Sequence, residues 1–236
     1  MWSGPRNVST ALLRAWGNRP DTHVIDEPLY AHYLLSTGLP HPGADEVIEV
    51  HEPDWQKVVD HITGPVPGGK RIFYQKHMAH HLLPEIGREW LPRLTHCFLI
   101  RDPREMLLSA DKVLTTIRLE DTGLPQQVEI FEHVRRTTGK IPPVVDARDL
   151  LGDPRVILGK LCDVLSVPFR EEMLSWPPGR RDTDGVWAKH WYAAVEKSTG
   201  FRPHEPRTEK LPAALEGILE QCRGPYEKLH AARIRP

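Results

Sequence analysis

Residues Gly4, Pro5, Arg6, Asn7, Val8, Ser9 and Thr10 form a turn that runs straight into Ala11, Leu12, Ala15 and Trp16, apolar positions at helical spacing closed by Gly17. The spacing predicts a helix that opens at the turn. Unpaired backbone N-H groups and the positive end of the helix dipole converge at such a place, which suits an anion. Arg6 adds a fixed cation, and Ser9 and Thr10 add two hydroxyls. A nucleotide-kinase loop needs GxxxxGK[ST], with its Lys on the terminal phosphates and its hydroxyl on magnesium. The second Gly and the Lys are both missing, which argues against a metal-dependent NTPase. The set suits a phosphosulfate held by charge and hydrogen bonds without a metal. An ordinary N-cap, Ser9 or Thr10 on a core helix, accounts for the same residues equally well.

A second stretch, FLIRDPREMLLSA, puts Arg101 at the end of an apolar strand, Pro103 early in a helix and Ser109 eight residues after the Arg. With the helix starting near Pro103, Ser109 lies nearly two turns along it, where it could face a ligand that Arg101 reaches from the strand end. An Arg and a Ser would there grip a second phosphate.

These groups need a scaffold, and the 236 residues with 39% hydrophobic content suffice for one domain with a sizeable core, expected over 1–236. Lys plus Arg (31) nearly balances Asp plus Glu (32), so bulk charge points to no nucleic-acid partner and any anion site must be local. Cys97, Cys162 and Cys222 are odd in number and widely spaced, which argues against a disulfide framework or a CxxC zinc site and points to the cytoplasm. No apolar run reaches membrane-spanning length, and no basic-then-apolar signal layout opens the sequence. Nothing in the sequence sets the oligomeric state. Short β-like runs at 22–26, 71–76, 95–101 and 142–147 each lead into a turn or helix signal, the βαβ pattern of a parallel sheet. The stretch 34–69, rich in Pro, Gly and His, reads as a covering insertion with one helix near 54–62, and the last clear helix is expected over 211–230.

Together, GPRNVSTALL and FLIRDPREMLLS resemble the two cofactor-binding motifs of the sulfotransferase family, the 5'-phosphosulfate loop and the 3'-phosphate motif. VIDEPLYAHY is similar to the end of the second strand in bacterial carbohydrate sulfotransferases, where an acidic residue before Pro serves as base. PPVVDARDLLGDPRVILGKLCDVLSVPF resembles the family's late strand, acidic turn and core-closing helix, and the combination also resembles a branch of sulfotransferase-like proteins named beside branched-chain aminotransferases. The resemblance implies an α/β, three-layer P-loop NTPase-like fold with a central parallel β-sheet flanked by helices. It implies the cofactor 3'-phosphoadenosine 5'-phosphosulfate (PAPS), adenosine 3',5'-bisphosphate as product, and no metal. Gly4 to Thr10, Arg101 and Ser109 would bind the cofactor, Arg6 would stabilise the leaving group, and Glu27 would take the acceptor's proton. The other reading of Glu27 is a helix cap or a partner for an Arg. Two features depart from the family: Arg6 stands where cytosolic sulfotransferases carry a loop Lys, and the strand before the loop shrinks to about Met1 to Ser3.

In YQKHMAHH, Lys76 and His77 end a strand-like run at the edge where parallel sheets present ligands, so either could contact the acceptor. His77 is the runner-up base, because an imidazole accepts a proton near neutral pH. His77, His80 and His81 have helical metal-pair spacing, but no HExxH Glu accompanies them, and a polar helix surface is the better reading of His80 and His81. Within 175–205, Trp187, Trp191 and Tyr192 interleave with Arg180, Arg181 and Lys189. The resemblance suggests a mobile basic lid there, with Arg180 and Lys189 as its cations; the alternative is that Trp187 and Trp191 pack a helix on the sheet. The function read from all this is PAPS-dependent transfer of a sulfuryl group to a hydroxyl or amine of a small acceptor. The competing function is a non-catalytic or regulatory binder of a 3'-phosphoadenosine nucleotide.

Overall fold

The structure, a computed structural model, describes residues 1–114 and 116–236. The fold is α/β, a five-stranded parallel sheet flanked by helices, as the alternation of apolar runs and helical periods predicts. The strands are β1 (Trp2–Ser3), β2 (Thr22–Asp26), β3 (Ile72–Met78), β4 (Phe98–Ile100) and β5 (Val144–Asp146). The helices are α1 (Ser9–Gly17), α2 (Tyr30–Thr37), α3 (Ala44–Val50), α4 (Trp55–Ile62), α5 (Pro103–Ala110), α6 (Leu124–Thr138), α7 (Ala147–Gly152), α8 (Pro154–Val164), α9 (Ala188–Trp191), α10 (Ala193–Glu196) and α11 (Ala213–Ala231). The chain forms two compact units, the first of Met1–Ser9, Thr95–Phe169 and Arg202–Pro236, the second of Thr10–Leu94 and Arg170–Phe201. Among the described residues no helix is long and apolar enough to cross a membrane.

In the first unit β4 pairs in parallel with β1, Trp2 opposite Phe98, and with β5, Ile100 opposite Asp146. Phe98, Leu99 and Ile100 are fully buried, as a strand covered on both faces requires. A two-residue strand has few ladder bonds of its own, and side chains supply the rest. Gln127 of α6 donates through Nε2 to the carbonyls of Trp2 at 3.1 Å and Leu99 at 2.9 Å. The Trp2 indole N-H donates to His96 Nδ1 at 2.9 Å. Helix α5 starts where its residues dictate: Pro103 takes the first position, and the Asp102 carboxylate accepts the Glu105 N-H at 3.0 Å. Its apolar face, Met106, Leu107 and Ala110, packs with Ile117, Leu211 and Leu215.

In the second unit β2 and β3 pair in parallel from Thr22 opposite Ile72 to Asp26 opposite Lys76. The Glu27 N-H extends the ladder by donating to the Lys76 carbonyl at 2.8 Å. Helix α1 buries Leu12, Leu13, Ala15 and Trp16, and Trp16 stacks on Tyr74 with centroids 5.1 Å apart. Arg14, buried on the same helix, makes a two-pronged ion pair with Asp184 at 2.5 and 2.7 Å. Tyr30, Tyr33, Leu34, Val47, Trp187 and Tyr192 form one core cluster.

Two expectations need correction. The stretch 34–69 holds α3 as well as α4; seven residues framed by His-Pro-Gly and His-Glu-Pro are too short for periodicity to announce, and a single buried residue, Val47, anchors them. His80 and His81 do not lie on a polar helix surface. Strand β3 runs on to Met78, so His77 is in a strand, and 79–81 is one tight 3-10 turn that buries His81. The helical spacing of the three histidines never falls on an α-helix.

Candidate functional site

In the first unit the loop after β1 carries two non-glycine residues in the left-handed region, Arg6 at φ 62° and Val8 at φ 55°. For a β-branched residue that conformation costs about 1 to 3 kcal/mol and persists only where the surroundings impose it. Interleaved left-handed residues turn successive N-H groups to one side, which makes an anion-binding concavity. Gly4 is required by close approach: a Cβ there would lie 2.1 Å from the Thr122 carbonyl oxygen. Gly4→Ala is therefore expected to destabilise the fold by about 1 to 3 kcal/mol, read as a lower denaturant midpoint in urea unfolding. Asn7 is buried, its Nδ2 donating to the Leu99 carbonyl at 3.4 Å, while its Oδ1 has no hydrogen-bond partner among the described residues. Ser9 is buried at the start of α1, and Pro5 and Thr10 are half-buried.

The two sequence motifs meet here. Arg6 Nε donates to Ser109 Oγ of α5 at 3.1 Å, and Arg101 Nη1 donates to the Arg6 carbonyl at 2.9 Å. Burial lowers the Arg6 pKa, and the nearby guanidinium groups of Arg101 and Arg207 lower it further. Cations held together in this way are poised for an anion. Arg101 is oriented by Glu105, whose Oε2 accepts from its Nε and Nη2, both at 3.2 Å. Glu105 Oε1 in turn bonds His204 Nε2 at 2.8 Å. Arg207 was not legible as a site residue; it sits in a Pro-rich charged stretch with no motif, and Arg104 fixes that stretch by donating to the carbonyls of Arg207 and Glu209.

The second unit holds a buried charge cluster where β2 and β3 end. Lys76 Nζ donates to Asp26 Oδ1 at 2.8 Å, Glu27 Oε1 at 2.5 Å and Tyr192 Oη at 3.1 Å. Tyr192 donates its own proton to Asp26 Oδ2 at 2.5 Å. Burial alone would lower the Lys76 pKa, but Asp26 and Glu27 overcome it and hold the side chain well above the ordinary lysine value. Lys76 is thus an ammonium, not the free amine that attack on a carbonyl requires. Glu27 has a left-handed backbone, φ 44°. Its carboxyl is raised by burial, with Lys76 opposing and Asp26 adding to the rise.

His81 faces this cluster, its Nδ1 3.9 Å from Glu27 Oε2 and its ring stacked on Tyr30 at 4.7 Å and Tyr33 at 4.6 Å. Burial first, and neighbouring histidines after it, push its pKa well below the usual value, so it is neutral. His77 is not brought to Glu27. Strand alternation gives adjacent residues opposite faces, and His77 Nε2 contacts Gln75 Oε1 at 3.2 Å beside the Trp90 ring. Arg180 is exposed, Lys189 pairs with Glu46 of α3, and Trp187 lies in the core edge-on to Tyr30. Among the described residues no group of three His, Cys, Asp or Glu side chains could hold a metal ion.

A family model described as a sulfotransferase domain matches residues 1–232. Two Arabidopsis thaliana proteins are similar in sequence. Branched-chain-amino-acid aminotransferase-like protein 2 is 38% identical over 222 residues, covering 94% of this chain and 39% of that protein. Branched-chain-amino-acid aminotransferase-like protein 1 is 39% identical over 231 residues, covering 98% and 41%. The chain therefore spans about two fifths of the length of these relatives. The fold is that of the sulfotransferase domain from the Synechococcus PCC 7002 olefin synthase, with TM-score 0.62 and 20% identity over 96% of this chain and 92% of that one. The sulfotransferase domain from the curacin biosynthetic pathway also shares it, with TM-score 0.53 and 16% identity over 100% and 97%. With the family model matched from end to end of both motifs, this chain belongs to the sulfotransferase family.

Proposed function

We propose that the protein is a PAPS-dependent sulfotransferase that acts on a hydroxyl or amine of a small acceptor. One observation carries the reading: Arg6 and Ser109, 103 positions apart, touch at 3.1 Å, and Arg101 holds the Arg6 carbonyl, so the cations of both motifs form one cluster. The donor set fits a nucleotide with two anionic ends, since the loop N-H groups, Ser9 and Thr10 suit a phosphosulfate and Arg101 with Ser109 suits a 3'-phosphate. PAPS, when bound, supplies an activated sulfuryl group. Arg6 places charge where the departing phosphate oxygen gathers it, and Glu27 accepts the acceptor's proton.

Binding of adenosine 3',5'-bisphosphate against ATP with magnesium tests the nucleotide assignment. Arg101→Ala is expected to remove a charge-assisted contact of about 1.5 to 3 kcal/mol, weakening bisphosphate binding roughly ten- to a hundredfold, with Ser109→Ala costing less. If adenosine 5'-phosphosulfate bound the unmutated protein as tightly as PAPS, the 3'-phosphate assignment would be wrong. A second reading, a regulatory binder of the same nucleotide, draws on the ion pair that occupies Glu27 Oε1. Consumption of PAPS in a screen of phenols, alcohols, amines and sugars separates the two.

A further inference from the structure

We propose that Lys76 is the positioning residue for Glu27: fixed by Asp26 and Tyr192, its ammonium holds Oε1 and leaves Oε2 to take the acceptor's proton. The inference rests on Glu27 being the base. An ammonium has three donors, and all three of Lys76 are engaged, on Asp26 Oδ1, Glu27 Oε1 and Tyr192 Oη. Asp26 is equally committed, its second oxygen accepting from Tyr192. The Lys76 head therefore has one orientation, and Glu27 Oε1 is tied to it. No hydrogen bond reaches Oε2 among the described residues; His81 Nδ1, at 3.9 Å, is beyond bonding distance.

Charge makes the same assignment. The side chains of Lys76 and Asp26 are each 1% exposed and cancel one another, so Glu27, 11% exposed, carries the odd charge of the cluster. A proton on Oε2 leaves the cluster neutral, which a buried site favours. The groups facing Glu27 are Asp26 from β2, Lys76 from β3, neutral His81 from the 79–81 turn, Tyr30 from α2 and Tyr192 from the residue after α9. In the transfer, the acceptor's O-H or N-H bond breaks toward Oε2. The electron pair left on the acceptor forms the bond to sulfur, and the bond between sulfur and the phosphate oxygen breaks with its pair on that oxygen.

The test compares the unmutated protein with a D26N/K76M double variant, which removes one charge of each sign. Carboxyl 13C NMR of glutamate-labelled protein follows Glu27, whose signal is identified by its absence in E27Q, and needs no acceptor. The Glu27 titration midpoint is expected to rise by about one pH unit or more as the ammonium is lost. In turnover assays the acid limb moves up with it, and kcat at neutral pH falls about tenfold or more, while bisphosphate affinity stays within about twofold. K76Q, which keeps a donor for Oε1, is read the same way if the double variant does not fold. A lower melting temperature with an unmoved Glu27 midpoint makes Lys76 structural only and overturns the proposal. If E27Q itself turns over normally, the base assignment falls and the proposal with it; an inactive E27Q beside an unmoved midpoint sinks the proposal alone.

Discussion

Glu27→Gln is expected to lower turnover by about a hundred- to ten-thousandfold while adenosine 3',5'-bisphosphate binds as before. The amide keeps the size of the side chain and a partner oxygen for Lys76, and removes the carboxylate charge and with it the ability to take a proton. Arg6, Arg101 and Ser109, the proposed nucleotide-binding groups, belong to the other compact unit of the chain, so nucleotide affinity reports separately on their integrity. The pH dependence follows from the environment. Burial raises the Glu27 carboxyl, so it gains its proton at a higher pH than an exposed glutamate does. Turnover of the unmutated protein should fall as pH drops through that raised midpoint, and the limb should be missing from the residual activity of Glu27→Gln. His77→Ala, whose target lies on the opposite face of β3 against Gln75, should be the milder change. A larger loss from His77→Ala than from Glu27→Gln would move the base to the histidine.

Arg6→Ala should reduce kcat by about a hundred- to a thousandfold and bisphosphate affinity far less. The argument is one of timing. Charge on the bridging oxygen grows only as the sulfur departs, so a guanidinium aimed there is worth most in the transition state. Arg6 sits beside two other arginines, hence ground-state binding retains Arg101 and Arg207 when it is lost. Arg6→Lys restores the charge but not the Nε contact to Ser109, and partial recovery of kcat is expected. Equal losses in kcat and affinity would make Arg6 a binding residue with no part in the chemical step.

Local signals in the sequence determined a good deal. A turn of small and polar residues before Leu12, Leu13 and Trp16 specifies a helix N-terminus, and Asp102 with Pro103 specifies where α5 begins. These are effects of capping, backbone angle and periodicity over a few residues, so they are readable without knowing the fold. Ser109 two turns into α5 followed from that start. What only the tertiary structure decided is which residues meet across long separations and which face each takes. Parallel pairing sets Asp26 opposite Lys76, 50 positions away, and thereby assembles a cluster in which Asp26 and Tyr192 count as much as Glu27. The same register sends His77 to the far face, and two extra strand residues carry His81 into the aromatic core. Arg207 joins Arg6 because Arg104 ties its backbone down, a contact between a helix and a stretch with no pattern of its own. Register and facing depend on hydrogen bonds and burial between distant segments. A single chain read in order carries no local trace of them.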